Sequence, residues 1–290
     1  MACDHLERSD NYLSLVQDYF EQARNLIIGR ARNLLNRLVE DRGNDEPPFL
    51  PEEYAHLVGI KRILREELEK VGAILLRLHD GLVIKVNIKE PAVRQRFSCA
   101  HEIAHVLYRE LKLEHYINNI EYRSLDSRDD RVRNKAKERL CDIAATELLM
   151  PEVIFRKYLA DSSLSIHAIE RTANIFKVSI QTAAIRIAEV SEEPCIMLLW
   201  RMYSTKRSKS KSLRLAWRVG PGTKLRGREY YMPVHVTCPS SVYEAYRQSA
   251  TTKCFKLFKL DNTVKRLPME SQGFGYGENR YVISLAFPNS

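Results

Sequence analysis

The sequence predicts an α+β chain in two parts, a mostly helical body followed by a strand-rich basic tail. Three observations carry that reading. Apolar residues recur at spacings of three and four over long stretches of the first two thirds. Two runs rich in apolar and β-branched residues flank Asp80-Gly81, which marks a β-hairpin. From Cys195 onward short strand-like runs replace the helical period, and the charge changes with them. Residues 1–194 hold 29 Lys+Arg against 32 Asp+Glu, and residues 195–290 hold 17 against 5, so the formal +9 divides into −3 and +12. At 290 residues and 44% hydrophobic content the chain has enough core for two domains and is not a disordered or low-complexity polymer. No run of 18 apolar residues occurs, so no membrane-spanning helix is expected. The start, Met1-Ala2-Cys3-Asp4-His5, lacks a basic stretch followed by an apolar core. The six cysteines form no CxxC pair, which argues against a cysteine zinc ribbon. They are expected to be reduced thiols in a cytoplasmic protein.

The elements follow in order. Leu13, Val16, Phe20, Ala23, Ile27, Ala31, Leu34 and Leu38 predict one amphipathic helix over 11–41, with Gly43 as its stop. Prolines 47, 48 and 51 make a stiff linker. A second helix is expected over about 52–70, ending near Gly72. Residues 73–78 and 82–88 then form the hairpin, and the strand Leu82–Ile88 is expected to be an edge open to an extended partner. A helix over 96–111 follows, then a polar stretch, then a helix from about 129 to 150 stopped by Pro151. Residues 151–190 read as two or three short helices. Strands are expected at 195–200, 213–219, 230–236 and 281–287, with a helix at 240–249.

The chemistry concentrates at His101-Glu102-Ile103-Ala104-His105. Two histidines four apart on a helix share a face and can bind one zinc ion. Glu102 is turned away by about 100 degrees, where it reaches a metal-activated water as general base. A third ligand is needed. A third histidine six residues past His105 is absent, since Leu111 stands there and Tyr108 replaces the glycine that would precede it. Glu138 and Asp142, four apart on the next long helix, offer a metal ligand and an acid that hydrogen-bonds a ligand histidine. On spacing alone Glu138 is equally readable as one more exposed charge beside Lys135, Lys137 and Arg139.

The string Arg96-Phe97-Ser98-Cys99-Ala100-His101-Glu102-Ile103-Ala104-His105 resembles the signature of the ImmA/IrrE metallo-endopeptidases, Arg-Phe-x-x-Ala-His-Glu-x-x-His. Their second block, Glu-x-x-Ala-Asn-x-Phe-Ala-x-Glu-Leu-Leu-Met-Pro, matches here at Glu138, Ala145, Glu147 and Leu148 to Pro151. It departs at Cys141 for Ala, Asp142 for Asn and Ala144 for Phe. The resemblance covers about 50–190. It implies Glu138 as the third ligand, a single zinc ion (manganese being a substitute), and a zincin-like, thermolysin-type peptidase core. The IrrE layout implies a long N-terminal helix at 1–46, a zinc peptidase-like domain at 52–155, a helix-turn-helix-like segment at 156–192 and a basic α/β GAF-like domain at 195–290. It also implies a specific protein substrate, typically a helix-turn-helix repressor encoded nearby, cut in a stress, mobile-element or defence response.

Two features point elsewhere. Ile169–Arg186 resembles a helix-turn-helix, but its second helix offers only Gln181 and Arg186 as base readers, so the segment reads better as a helical unit closing the peptidase domain. The basic run Lys206–Lys211 and the +12 tail suit an acidic or nucleic-acid partner at the C-terminal domain. The rival to a peptidase is therefore a nucleic-acid-binding regulator that uses the peptidase fold as a scaffold or sensor. Cys99 and Cys141 are expected to be buried packing residues. His115, Tyr116 and Tyr122 are available to steady an oxyanion, and none is assigned.

Overall fold

The computed structural model describes residues 2–114, 116, 130–160, 163–204, 211–220, 240–248, 250–260 and 263–287. The expected strand at 230–236, residues 206–210 of the basic run, His115 and Tyr122 lie outside these. The described chain is α+β, with two separate sheets. It divides into two compact units, one of residues 1–154 with 175–178, the other of 155–174 with 179–290.

In the first unit, α1 (Ala2–Arg42) begins earlier than its apolar spacing indicates and ends at Gly43. The Gly43 backbone lies at φ +73° and its N–H donates to the Val39 carbonyl at 2.8 Å, which closes the helix. Ala23, Ile27, Ala31, Leu34 and Leu38 are buried as their spacing predicts. Arg30 reaches Glu110 through two nitrogens at 2.9 and 3.1 Å. Arg32 bonds the buried Glu147 and also Glu152, each at 2.9 Å. The linker is held by Arg42, which donates to the carbonyls of Glu46 and Pro48 at 3.1 and 3.0 Å and pairs with Glu53.

The helix expected over 52–70 does not form. A single turn, α2 (Pro51–Ala55), is followed by a 3₁₀ turn, and Gly59 at φ +76° breaks the path. Ile60–Glu66 is strand β1. Its residues Ile60, Ile63 and Leu64 fit helical spacing as well as a strand, and pairing with a neighbouring strand decides. The hairpin does form, from β2 (Ala73–Leu78) and β3 (Gly81–Asn87), with His79 and Asp80 as its two loop residues. The sheet order is β1-β3-β2, with β1 parallel and β2 antiparallel to β3. The strand expected to be an open edge, β3, is therefore central, and among the described residues β2 is the antiparallel edge strand. Two helices complete the unit. On α3 (Ala92–Glu110) Ala100, Ile103, Ala104 and Leu107 are fully buried. On α4 (Asp130–Leu149) the same holds for Leu140, Cys141, Ala144, Ala145 and Leu148. The two helices pack against each other, and α1 packs on both.

The second unit contains most of α5 (Glu152–Ala160), which starts at the unit boundary, and of α6 (Ile166–Phe176), whose last two residues belong to the first unit, with α7 (Ile180–Val190), β4 (Ile196–Ser204), β5 (Lys211–Val219), α8 (Ser240–Gln248), β6 (Thr252–Leu260), β7 (Thr263–Phe274) and β8 (Tyr281–Ala286). Its sheet runs β5-β4-β8-β7-β6, every pair antiparallel. Helix α8 covers one face over a core of Ile196, Leu198, Trp200, Val242, Ala245, Met269, Val282 and Ala286. The helix comes so close that a Cβ at Gly273 would lie 2.3 Å from the Ala245 carbonyl oxygen. Helix α7 packs against β4 and β5, and α6 is tied to β7 by Gln272 donating to Glu170 at 2.8 Å. Strands β6 and β7 carry no clear sequence signal.

Candidate active site

Helix α3 sets His101 and His105 one turn apart on one face, as 3.6 residues per turn requires. The rings stand edge to face with centroids 4.8 Å apart. Helix α4 crosses them and brings Glu138 to both. Glu138 Oε2 is 3.0 Å from His101 Nε2, and Oε1 is 3.7 Å from His105 Nε2. One donor atom from each of the three residues lies within 4.8 Å of the others. Ligands about 2.1 Å from a tetrahedral ion stand roughly 3.4 Å apart, and the spacings of 3.0 and 3.7 Å lie on either side of that. Two imidazoles and a carboxylate suit a borderline divalent metal.

The far sides of both rings are held by the same helix. His101 Nδ1 is 2.9 Å from Asp142 Oδ1, and His105 Nδ1 is 3.4 Å from Cys141 Sγ. Glu138, Cys141 and Asp142 thus fall within one turn of α4. Burial pushes the His101 imidazole down, but hydrogen bonds and charge from Asp142 and Glu138 outweigh it, and its pKa lies above the ordinary value. Burial and the neighbouring His101 push His105 down to about 4. The two histidines therefore differ before any metal arrives, one drawn to a proton and the other shedding it.

Glu102 lies on the same helix, turned toward β2. Burial raises its carboxyl above the ordinary carboxylate value, against the opposing pull of His101 and of the Leu75 backbone N–H, which donates to it. A base shifted toward neutrality is better matched to proton transfer at neutral pH. All five residues expected at the site, His101, Glu102, His105, Glu138 and Asp142, converge here. Reading the sequence missed the Leu75 N–H and the contact of Cys141 with His105. Leu75 gives no signal, because its contribution is backbone. Cys141 does give one, at the third position after Glu138 on the same helix. Cys99 and Cys141 are both buried. Of the two base readers expected in the helix-turn-helix-like segment, Gln181 hydrogen-bonds the Tyr281 hydroxyl and Arg186 is buried and paired with Glu189 at 3.5 Å.

A helix bearing two histidines is thus met by a carboxylate from a second helix beside a small sheet, in a cluster able to hold a metal ion. Residues 61–188 match the family model of the IrrE N-terminal-like domain, peptidase M78. The resemblance carried by the two sequence blocks holds over that range. Among solved structures, a Mycobacterium tuberculosis transcriptional regulator aligns over 94% of this chain and 80% of its own, with a TM-score of 0.60 and 16% identity. At that identity the likeness is one of fold. No curated protein matches the chain.

Proposed function

We propose that the chain is a zinc-dependent endopeptidase that cleaves a specific protein, with His101, His105 and Glu138 as metal ligands and Glu102 as general base. The observation that carries this reading is the convergence of both Nε2 atoms on the Glu138 carboxylate, with Glu102 close enough to interact with the charges of His101 and Glu138. The peptidase family of residues 61–188 supports the same reaction class. Zinc, when bound, supplies a Lewis acid that polarises a peptide carbonyl and acidifies a water. Glu102 takes the proton of that water and returns it to the leaving amine. Asp142 orients His101 through Nδ1. The edge that β2 presents among the described residues pairs with an extended substrate, and Ile74 and Leu78, 40% and 42% exposed, favour apolar side chains on it.

The helix pair and sheet support a zincin-like core. The antiparallel sheet with helices on it, in the second unit, is consistent with a GAF-like domain. The family resemblance supports a helix-turn-helix repressor, encoded nearby and cut in a stress or mobile-element response, as target, and the cytoplasm as the site of action. Among the described residues no helix is long and apolar enough to cross a membrane. A second reading, a regulator using this fold as a scaffold, is favoured by the name of the mycobacterial neighbour and by the +12 charge of residues 195–290. The inward engagement of Gln181 and Arg186 speaks against α7 as a reading helix. Co-incubation with neighbour-encoded proteins under added zinc decides between the two. Metal-dependent cutting of one protein supports the peptidase, and salt-sensitive DNA binding without cutting supports the regulator.

A further inference from the structure

Helix α4 carries one more side chain against the ligand set. Cys141 Sγ lies 3.4 Å from His105 Nδ1, and Cys141 is fully buried between α3 and α4. We propose that Cys141 is a positioning residue of the metal site, whose sulfur accepts the Nδ1–H of His105. This rests on the reading of His101, His105 and Glu138 as ligands.

A neutral imidazole carries one N–H. The nitrogen that faces Glu138 is Nε2, at 3.7 Å, so a ligating His105 must keep its proton on Nδ1. Cys141 is the group that meets that proton. The contact therefore fixes both the tautomer and the ring plane, leaving the Nε2 lone pair on the ion. His101 is fixed in the same way by Asp142 at 2.9 Å. The two orienting groups differ in kind. Asp142 is an anion with an exposed side chain, whereas Cys141 is neutral, polarizable and buried. The pair gives one histidine a charged partner and the other an uncharged one, and only the uncharged one belongs in the packed seam between the helices. Cys141 also stands where the resembling signature has alanine, a residue that offers no acceptor.

The test uses the full chain and reads zinc affinity by competition with a chromogenic chelator. Cys141→Val fills the same volume without an acceptor and should lower zinc affinity about tenfold or more, within the range known for groups that orient ligands. Cys141→Ser restores an acceptor and should stay within about threefold of the native chain. Should the valine variant fail to fold, spectra of ¹⁵N-histidine-labelled, zinc-loaded native protein read the tautomer directly. His105 protonated at Nδ1 is expected, and protonation at Nε2 overturns the proposal. Native affinity in Cys141→Val also overturns it and leaves the ligand reading intact. A native chain that takes up no zinc overturns both.

Discussion

At the scale of residues, the site works by setting like groups in unlike surroundings. Asp142 and Glu138 hold a proton on His101 above the ordinary imidazole value, while burial and His101 drive His105 down to about 4. In the metal-free protein, NMR titration should therefore show His105 changing near pH 4 and His101 above 6.5. The sign for zinc follows. Near neutrality His105 is already unprotonated, so zinc bound by the proposed ligands would displace the proton of His101, and its affinity should fall as pH drops through the upper of the two values. Glu138→Ala removes one of the three proposed ligands and should leave the chain below full zinc occupancy by elemental analysis. Full occupancy in that variant would remove Glu138 from the set. His101, Glu102 and His105 were legible in the sequence because one helix fixes their geometry. Glu138 was ambiguous on spacing alone, since its meaning depends on how α4 meets α3, and it was the family resemblance that pointed to it as a ligand. The Leu75 N–H on Glu102 was invisible, because it belongs to a tertiary contact.

Elements whose period is local were the legible ones: α3, α4 and the hairpin stand where spacing puts them. Strand β1 was misread, since Ile60, Ile63 and Leu64 serve either period and the choice is made by β3. Strands β6 and β7 were missed for two reasons. Lysines and apolar residues do not alternate cleanly along β6, and β7 contains Pro268 and Gly273, which argue against a strand. Pairing of β7 with β8 ends at Met269 and Ala286, so Pro268 lies one residue past it and its missing N–H breaks no bond to β8. Gly273 is required by the approach of α8. Gly273→Ala should destabilise the second unit by about 1–3 kcal/mol, as overpacking does, and an unchanged urea midpoint would show that α8 can shift. Helix α1 was read as an element but not as part of a core. Ile27 is fully buried, so Ile27→Ala should cost about 2–5 kcal/mol in the unit that holds the site. A cost near zero by urea denaturation would mean that α1 is an appendage.

For the whole molecule, the division of charge matters more than its total. The proposed ligands belong to a stretch, residues 1–194, with net charge −3, and the excess of basic residues falls in 195–290. Polyanion binding should therefore be independent of the metal site. Retention on heparin should fall steeply with salt and be the same for the native chain and Glu138→Ala. Retention that ignores salt would remove the electrostatic reading. The central claim, that His101, His105 and Glu138 serve a cleavage for which Glu102 is the base, is tested most directly by one comparison. The native chain and Glu102→Gln, both loaded with zinc, are incubated with the proteins encoded beside them. The expected result is one protein cut by the native chain, with the rate lowered about 10²–10⁴-fold in Glu102→Gln at equal zinc content. Cleavage by Glu102→Gln at the native rate would contradict the account.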